Sequence, residues 1–207
     1  MLFRPPKLYP ITDVQISGLS HAEQVVRLSE GGATLIQLRE KNLAPDEFQR
    51  QAAEALVEAR KRAVGIIIND RVDLALALKA DGVHLGQDDL PPEVARAMLG
   101  DQKIIGFSTH TLEQALNAAK LPVNYLAIGP VFPTLSKAQP DPIVGLATVG
   151  QVRNVIGDTP LVAIGGITAE NADEVLAAGA DSVAMIGALL ADPLRISSNT
   201  AQILQTL

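Results

Sequence analysis

Residues 161–187 read LVAIGGITAENADEVLAAGADSVAMIG and contain one full copy of the unit that decides the fold. An apolar run of strand length, Leu161–Gly166, leads into an amphipathic stretch. Gly179-Ala180-Asp181 then turns the chain into a second apolar run, Ser182–Gly187. Similar exits, Gly32-Ala33-Thr34 and Ala80-Asp81-Gly82, precede other runs. The pattern predicts a repeated strand-helix-strand unit.

This alternation of apolar runs and amphipathic stretches occurs eight times along the chain. The strand candidates are Leu8–Thr12, Leu35–Glu40, Gly65–Asp70, Gly82–Leu85, Ile104–Thr109, Tyr125–Pro130, Leu161–Gly166 and Ser182–Gly187. Units of about 26 residues favour a single α/β domain over residues 1–207, a (β/α)8 or TIM barrel, over an open doubly wound sheet. Pro10 predicts a first strand that is short or irregular, because proline lacks a ladder donor.

Helix signals fill the intervals between the runs. Ser20 with Glu23, and Thr111 with Gln114, have the spacing of capping boxes. One helical face is predicted to collect the apolar side chains of Phe48, Ala52, Ala55, Leu56, Ala59 and Ala63.

Composition excludes several classes of function. The 207 residues include 17 basic and 23 acidic side chains, a net charge of −6, which argues against a nucleic-acid surface or an anionic-membrane patch. Cysteine is absent, so disulfides, thiolate zinc sites and cysteine nucleophiles are excluded. Without an apolar segment suited to a signal peptide or a membrane helix, we expect a cytoplasmic protein that binds small molecules. A homo-oligomer is compatible with these features.

Polar residues at the ends of the predicted strands indicate a site, because barrels build their sites at the carboxyl ends of the strands. Gln37, Arg39 and Lys41 are spaced by two and share one face of an extended chain, whereas Ile36 and Leu38 face the other way. By the same parity, Ser108 at the end of the fifth run is predicted to point inward.

Carboxylates follow the third and fourth runs. Asn69 and Asp70 end the third run, and Asp88 and Asp89 follow the fourth. Each could cap the helix that follows it. Taken together, two carboxylates at neighbouring strand ends favour a Mg²⁺ site, since Mg²⁺ binds one or two carboxylates together with substrate phosphates.

Two further features indicate phosphate binding. Val131 to Val144 is the longest irregular segment and carries Thr134, Ser136 and Lys137, which is typical of a binding loop. Gly166 and Gly187 end the seventh and eighth runs, where barrels commonly bind phosphate through backbone N–H groups.

Five motifs resemble those of the thiamine-phosphate synthase family and occur in the family's order from Tyr9 to Ile186. They are Gln37-Leu38-Arg39-Glu40-Lys41, Ile68-Asn69-Asp70-Arg71-Val72-Asp73, Gly82-Val83-His84-Leu85-Gly86-Gln87-Asp88-Asp89, Gly106-Phe107-Ser108-Thr109-His110-Thr111 and Gly129-Pro130-Val131-Phe132-Pro133-Thr134. The resemblance implies an enzyme that joins a pyrimidine diphosphate to a thiazole phosphate carboxylate and releases pyrophosphate and CO2. Such a dissociative substitution needs cations and Mg²⁺ more than a general base.

The resemblance also implies roles for individual residues. Contacts to the pyrimidine diphosphate are expected from Gln37, Leu38, Arg39, Glu40, Lys41, Asn69, Ser108 and Lys137. Of these, the catalytic group is Arg39, Lys41, Ser108 and Lys137. Contacts to the thiazole phosphate are expected from Thr134, Leu135, Ser136, Gly166, Ile186 and Gly187. The Mg²⁺ ligands are expected to be Asp70 and Asp89.

Three alternatives stay open from the sequence. A thiazole tautomerase of the same superfamily would share the phosphate cradle but generally lacks the full set of diphosphate residues. A Schiff-base aldolase would use Lys41 or Lys137 as its nucleophile. A non-catalytic paralogue would bind both ligands without turnover.

Overall fold

The computed structural model describes residues 3–134 and 141–207 and contains a closed barrel of eight parallel strands in chain order. The strands are β1 Leu8–Thr12, β2 Leu35–Leu38, β3 Gly65–Asn69, β4 Gly82–Leu85, β5 Ile104–Thr109, β6 Tyr125–Ile128, β7 Leu161–Ile164 and β8 Ser182–Met185. The barrel closes where β1 pairs with β8. The predicted (β/α)8 fold is confirmed, and each strand lies within its predicted run.

Helices lie between the strands. They are α1 Val14–Ser17, α2 His21–Glu30, α3 Pro45–Lys61, α4 Val72–Ala77, α5 Pro92–Leu99, α6 Leu112–Ala118, α7 Gly145–Val155, α8 Ala172–Ala177, α9 Gly187–Leu190 and α10 Ile196–Thr206, with a 3-10 turn at Pro193–Arg195. Within the described part of the chain, no helix combines the length and the apolar character needed to span a bilayer.

The helix signals are largely confirmed. Ser20 and Glu23 form a reciprocal capping box at the start of α2. Thr111 caps α6 by accepting from the backbone N–H of Gln114, but the Gln114 side chain accepts from the N–H of His110 instead of closing the box. The predicted apolar face of α3 is buried from Phe48 to Ala59. Its last member was placed wrongly, because Ala63 lies beyond the helix end in an exposed left-handed turn with φ 55°.

The strands divide the core into two layers because successive side chains of a strand point to opposite faces. Outward side chains such as Ile36, Leu38 and Ile68 are fully buried beneath the surrounding helices. Inward side chains fill the barrel, and these are Tyr9, Ile11, Leu35, Ile67, Tyr125, Ala127, Val162 and Ala184. The outer layer carries most of the apolar burial, while the inner layer includes two tyrosines whose hydroxyls need partners.

Pro10 does not interrupt β1, so the prediction of a short or irregular first strand was wrong. All five residues of the strand are buried. Leu8 to Pro10 pair with β8, and the pairing with β2 begins one residue later, at Ile11. The proline therefore precedes the paired section of the β1–β2 ladder.

Candidate active site

A cavity of about 740 Å³ opens at the carboxyl ends of the strands. Its walls bring together most of the residues that the sequence singled out, namely Gln37, Arg39, Lys41, Asn69, Asp70, Asp89, Ser108, Thr134, Gly166, Ile186 and Gly187. Leu135, Ser136 and Lys137 lie outside the described residues. The walls of this one cavity thus carry cationic, anionic and glycine-rich regions.

The cationic wall is formed by Arg39 and Lys41, which follow β2. Nη1 of Arg39 lies 2.7 Å from Oδ2 of Asp13, and the Arg39 side chain is mostly buried. The Lys41 ammonium pairs with the carboxylate of Asp70 and is half exposed. The more exposed pair, Lys41–Asp70, contributes little to stability, about 0–1 kcal/mol. A polyanionic ligand can therefore replace Asp70 as the partner of Lys41 at small cost.

Two residues of the same segment do not line the cavity. Leu38 is fully buried beneath the helices. Oε1 of Glu40 accepts hydrogen bonds from the backbone N–H groups of Lys41, Asn42 and Leu43, at 2.8, 2.7 and 3.1 Å. Oε2 of Glu40 lies 3.5 Å from Nε2 of His21. Glu40 shapes the backbone that carries Lys41.

His21 supports this segment from behind. Its ring is fully buried, and Nδ1 lies 2.7 Å from Oγ1 of Thr12. Burial lowers the pKa of His21, and the neighbouring Glu40 carboxylate opposes that shift. Thr12 in turn donates to the carbonyl of Gln37 and accepts from the N–H of Arg39, both at 3.3 Å. The start of α2 is therefore tied to the end of β2.

The anionic wall is the pair Asp70 and Asp89. Oδ2 of Asp89 accepts from the N–H of Gly86 at 2.7 Å, which closes a turn after β4. Partial burial raises the pKa of Asp89, and the adjacent Asp70 raises it further, while the Gly86 N–H opposes the shift. The helix-capping alternative is wrong for both carboxylates, because the N-cap residues of α4 and α5 are Arg71 and Pro91 and neither helix start has a side-chain cap.

The donor chemistry of this pair fits a hard divalent cation. Two carboxylates held within hydrogen-bonding reach of each other repel when both are ionised, and a cation between them would remove that repulsion. In residues 3–134 and 141–207, no group of three or more His, Cys, Asp or Glu side chains could hold a metal ion. A pair of carboxylates is nonetheless the ordinary protein share of a Mg²⁺ site, since water and substrate phosphates supply the remaining ligands.

At the floor of the cavity, side chains form a chain of hydrogen bonds, and the sequence reasoning missed three of its members, Tyr9, His84 and Tyr125. Nε2 of Gln37 donates to Oη of Tyr9 at 3.4 Å, and the hydroxyls of Tyr9 and Tyr125 lie 3.1 Å apart. The Tyr125 hydroxyl lies 2.9 Å from Nδ1 of His84, and Nε2 of His84 lies 2.8 Å from Oγ of Ser108. Burial lowers the pKa of His84 to about 4 and raises the pKa of both tyrosines. Strand parity was the signal that could have found these residues.

Glycines form another wall of the cavity, after β7 and β8. Gly166 has φ 63°, and a Cβ there would lie 2.4 Å from the carbonyl oxygen of Pro133. Only glycine combines that conformation with so close an approach. Gly187 begins α9, and Ile186 precedes it. Backbone N–H groups in the first turn of a helix favour anions.

His110 lies on the cavity wall. Its Nδ1 donates to the carbonyl of Gly129 at 2.7 Å and lies 3.6 Å from Oδ2 of Asp141. The carbonyl bond fixes the ring so that it borders the cavity.

Comparisons with known proteins agree with this geometry. The family described as "Thiamine monophosphate synthase" matches residues 8–189. Thiamine-phosphate synthase of Koribacter versatilis (strain Ellin345) is 47% identical over 208 residues, covering 97% of this chain and 97% of that protein. The protein of the same name from Clostridium novyi (strain NT) is 46% identical over 185 residues, covering 89% and 90%.

A solved structure shows the same likeness in three dimensions. Thiamine phosphate pyrophosphorylase from Pyrococcus furiosus superposes with a TM-score of 0.85 at 38% identity, covering 97% of this chain and 94% of that one. The sequence match extends over nearly all of the barrel, from β1 to α9. The chain belongs to the thiamine monophosphate synthase family.

Proposed function

We propose that the chain is a transferase of thiamine biosynthesis. It condenses 4-amino-2-methyl-5-(diphosphooxymethyl)pyrimidine with 4-methyl-5-(2-phosphoethyl)thiazole, or with the 2-carboxy form of that thiazole. The products are thiamine phosphate and pyrophosphate, with CO2 from the carboxylated substrate. The observation that carries this proposal is a single cavity with Arg39 and Lys41 on one wall and Gly166 and Gly187 on another. Such a cavity can hold a diphosphate and a monophosphate side by side.

The bond changes are those of a dissociative substitution. The carbon–oxygen bond to the diphosphate breaks, and its electron pair leaves with pyrophosphate. The lone pair of the thiazole nitrogen then forms a bond to the pyrimidinylmethyl cation. When the thiazole carries a 2-carboxylate, the bond to that group breaks to release CO2, and the ring carbon takes a proton from solvent.

The residues around the cavity supply charge and orientation for these steps. Arg39 and Lys41 exchange their carboxylate partners for the diphosphate and stabilise the negative charge that grows as it leaves. Asn69 and Gln37 lie where they can orient the pyrimidine. The N–H groups beside Gly166 and Gly187 hold the thiazole phosphate. Thr134, Leu135, Ser136 and Lys137 belong to the same proposal, the last three by family resemblance.

Asp70 and Asp89 would hold Mg²⁺ in this proposal. When bound, the ion would neutralise diphosphate charge as the leaving group departs. The raised pKa of Asp89 supports this assignment, because it reflects partial burial and the charge of Asp70, and a divalent ion would offset both.

The alternatives fit the cavity less well. A tautomerase needs no diphosphate site, yet the cavity keeps Arg39, Lys41, Asn69, Asp70 and Asp89 together. A Schiff-base aldolase needs a lysine amine that is free to attack a carbonyl, whereas Lys41 is engaged in an ion pair with Asp70.

A pyrophosphate-release assay tests the proposal. Purified protein with both substrates and Mg²⁺ is expected to form pyrophosphate and thiamine phosphate in equal amounts, and neither substrate alone should release pyrophosphate. Lys41→Gln should lower the rate, while Lys61→Gln, an exposed lysine on α3, serves as the matched control. Folded protein that binds both substrates without product would show a non-catalytic paralogue, and isomerised thiazole would show a tautomerase.

A further inference from the structure

One continuous series of hydrogen bonds, the barrel-floor chain, runs through Gln37, Tyr9, Tyr125, His84 and Ser108. It crosses the inside of the barrel and joins side chains from β2, β1, β6, β4 and β5. Every member except Ser108 is at least nine-tenths buried. Ser108 is half-buried and opens into the cavity. The barrel-floor chain therefore connects the interior of the barrel with the cavity-facing hydroxyl of Ser108.

The barrel-floor chain has a direction. The Nε2 amide of Gln37 can only donate, so the Tyr9 hydroxyl accepts from it. Among the described residues, Tyr125 is the remaining partner of the Tyr9 hydroxyl and His84 is the remaining partner of the Tyr125 hydroxyl. Because a buried hydroxyl hydrogen is costly to leave unused, we assign the Tyr9 hydrogen to Tyr125 and the Tyr125 hydrogen to Nδ1 of His84. Nδ1 is then an acceptor and carries no hydrogen. A neutral imidazole in this position carries its hydrogen on Nε2 and donates it to Oγ of Ser108.

The tautomer of His84 decides whether Ser108 can donate a hydrogen bond into the cavity. Because Oγ of Ser108 accepts from His84, its own hydrogen is not used within the barrel-floor chain. That hydrogen can point into the cavity. With the opposite tautomer of His84, Ser108 would have to donate to Nε2 and would present only lone pairs to the cavity. Lone pairs repel an anionic oxygen, whereas a hydroxyl hydrogen stabilises it.

The surrounding backbone leaves space for the middle of the barrel-floor chain, the rings of Tyr125 and His84. A Cβ at Gly106 would lie 2.1 Å from Cζ and 2.4 Å from Oη of Tyr125, so β5 leaves the space that this ring occupies. The His84 ring lies nearly parallel to the Tyr125 ring, with the centroids 5.5 Å apart and an interplanar angle of 23°. These contacts hold the Tyr125 hydroxyl beside His84.

We propose that Tyr125 and His84 are positioning residues that fix one tautomer of His84 and thereby make Ser108 a hydrogen-bond donor to the departing diphosphate. The part that concerns the diphosphate rests on the proposed function. The part that concerns the tautomer does not, and it can be measured in the ligand-free protein.

The first experiment measures the tautomer. The protein has three histidines, and labelling them with ¹⁵N gives three sets of ring signals. The set that disappears in the His84→Gln variant belongs to His84. At neutral pH we expect His84 to have a protonated Nε2 and an unprotonated Nδ1. Tyr125→Phe should produce a mixture of tautomers. Tyr9→Phe should also relax the tautomer, because the Tyr125 hydroxyl then loses the donor that directs its own hydrogen to His84. Thr200→Val, the matched control, removes a buried hydroxyl outside the barrel-floor chain and should leave the His84 signals unchanged.

The second experiment asks whether the effect passes through Ser108. Tyr125→Phe is expected to lower kcat about twofold to tenfold, in proportion to the share of His84 left in the other tautomer, with a smaller change in KM. In a Ser108→Ala background the same substitution should have little further effect, because the group it positions is already missing.

Several outcomes would overturn the proposal. These are an Nδ1-protonated or a charged His84 in the wild-type protein, an unchanged His84 signal in Tyr125→Phe, and a full additional loss of kcat when Tyr125→Phe is combined with Ser108→Ala. If Tyr125→Phe does not fold, the wild-type spectrum alone decides the tautomer. If the spectrum is as expected but no pyrophosphate forms, the proposed function fails and the tautomer assignment stands.

Discussion

Replacing Asp89 with asparagine should make the protein more stable when no divalent cation is present. The substitution removes one of two facing carboxylates and keeps an oxygen that can accept from the N–H of Gly86. Partial burial and the charge of Asp70 raise the pKa of Asp89, so its ionised form is less favourable in the folded chain than in the unfolded chain. Removing that ionised form removes a destabilising contribution.

The expected gain is small because both carboxylates are partly exposed to solvent. Charge interactions in such positions are worth about 0.2–1 kcal/mol. For a chain of this length that corresponds to an increase in Tm of about 0.4–4 °C. The pH dependence follows from the direction of the shift. A raised pKa makes the wild type lose stability as the pH rises above the ordinary carboxyl value of 3.8, so the gain is full at neutral pH and disappears in acid.

Thermal unfolding followed by circular dichroism, in EDTA and then in Mg²⁺ with pyrophosphate, provides the assay. In EDTA at neutral pH the Tm of Asp89→Asn should exceed that of the wild type. With Mg²⁺ and pyrophosphate the order should reverse, because the wild type binds them more tightly. Asp88→Asn makes the same charge change at the exposed neighbour and should leave Tm nearly unchanged. A Tm in EDTA equal to or below that of the wild type would refute the reasoning.

Three further variants probe the other walls of the cavity. Gly166→Ala should destabilise the fold by about 1–3 kcal/mol and raise KM for the thiazole phosphate, because a Cβ would lie 2.4 Å from the Pro133 carbonyl; an unfolding curve and KM like those of the wild type would contradict this. Glu40→Ala should raise KM for the pyrimidine diphosphate severalfold by freeing three backbone N–H groups, whereas Glu40→Gln keeps an acceptor and most of the activity; equal kinetics for the two would count against a shaping role. Lys41→Gln should lower kcat/KM by about tenfold to a hundredfold, as for loss of a charged contact to a phosphate, and steady-state kinetics at fixed ionic strength measures it.

The strands were predictable because each is a short apolar run bounded by turn residues. The ends of the strands were harder to predict than their positions. The second predicted run continued to Glu40, whereas β2 ends at Leu38. Parity correctly separated Gln37 from Leu38 within β2, but the family resemblance covers residues 37–41 as one block and so included Leu38 and Glu40. Parity within a strand is a local property, and sequence alone therefore carries it well.

The buried polar partners could not be predicted in the same way. Tyr9 and Tyr125 are 116 positions apart, and their contact depends on the register of strands around the barrel. His21 has no motif that links it to Glu40, although its ring lies behind the segment that carries Arg39. Such contacts follow from barrel closure, which fixes which inward side chains meet across the interior.

The backbone of Asp70 is left-handed, with φ 62°, a conformation in which asparagine and glycine are more comfortable than most residues. An Asp70→Asn substitution would therefore not strain the backbone. It requires only a single-nucleotide change. The barrel core, formed by other residues, would be untouched. A lineage could thus lose one of the two carboxylates of the anionic wall and keep a folded barrel with its glycine-lined pocket. In this fold, the side chain at position 70 can change, and with it the chemistry of the site, while the barrel itself is retained.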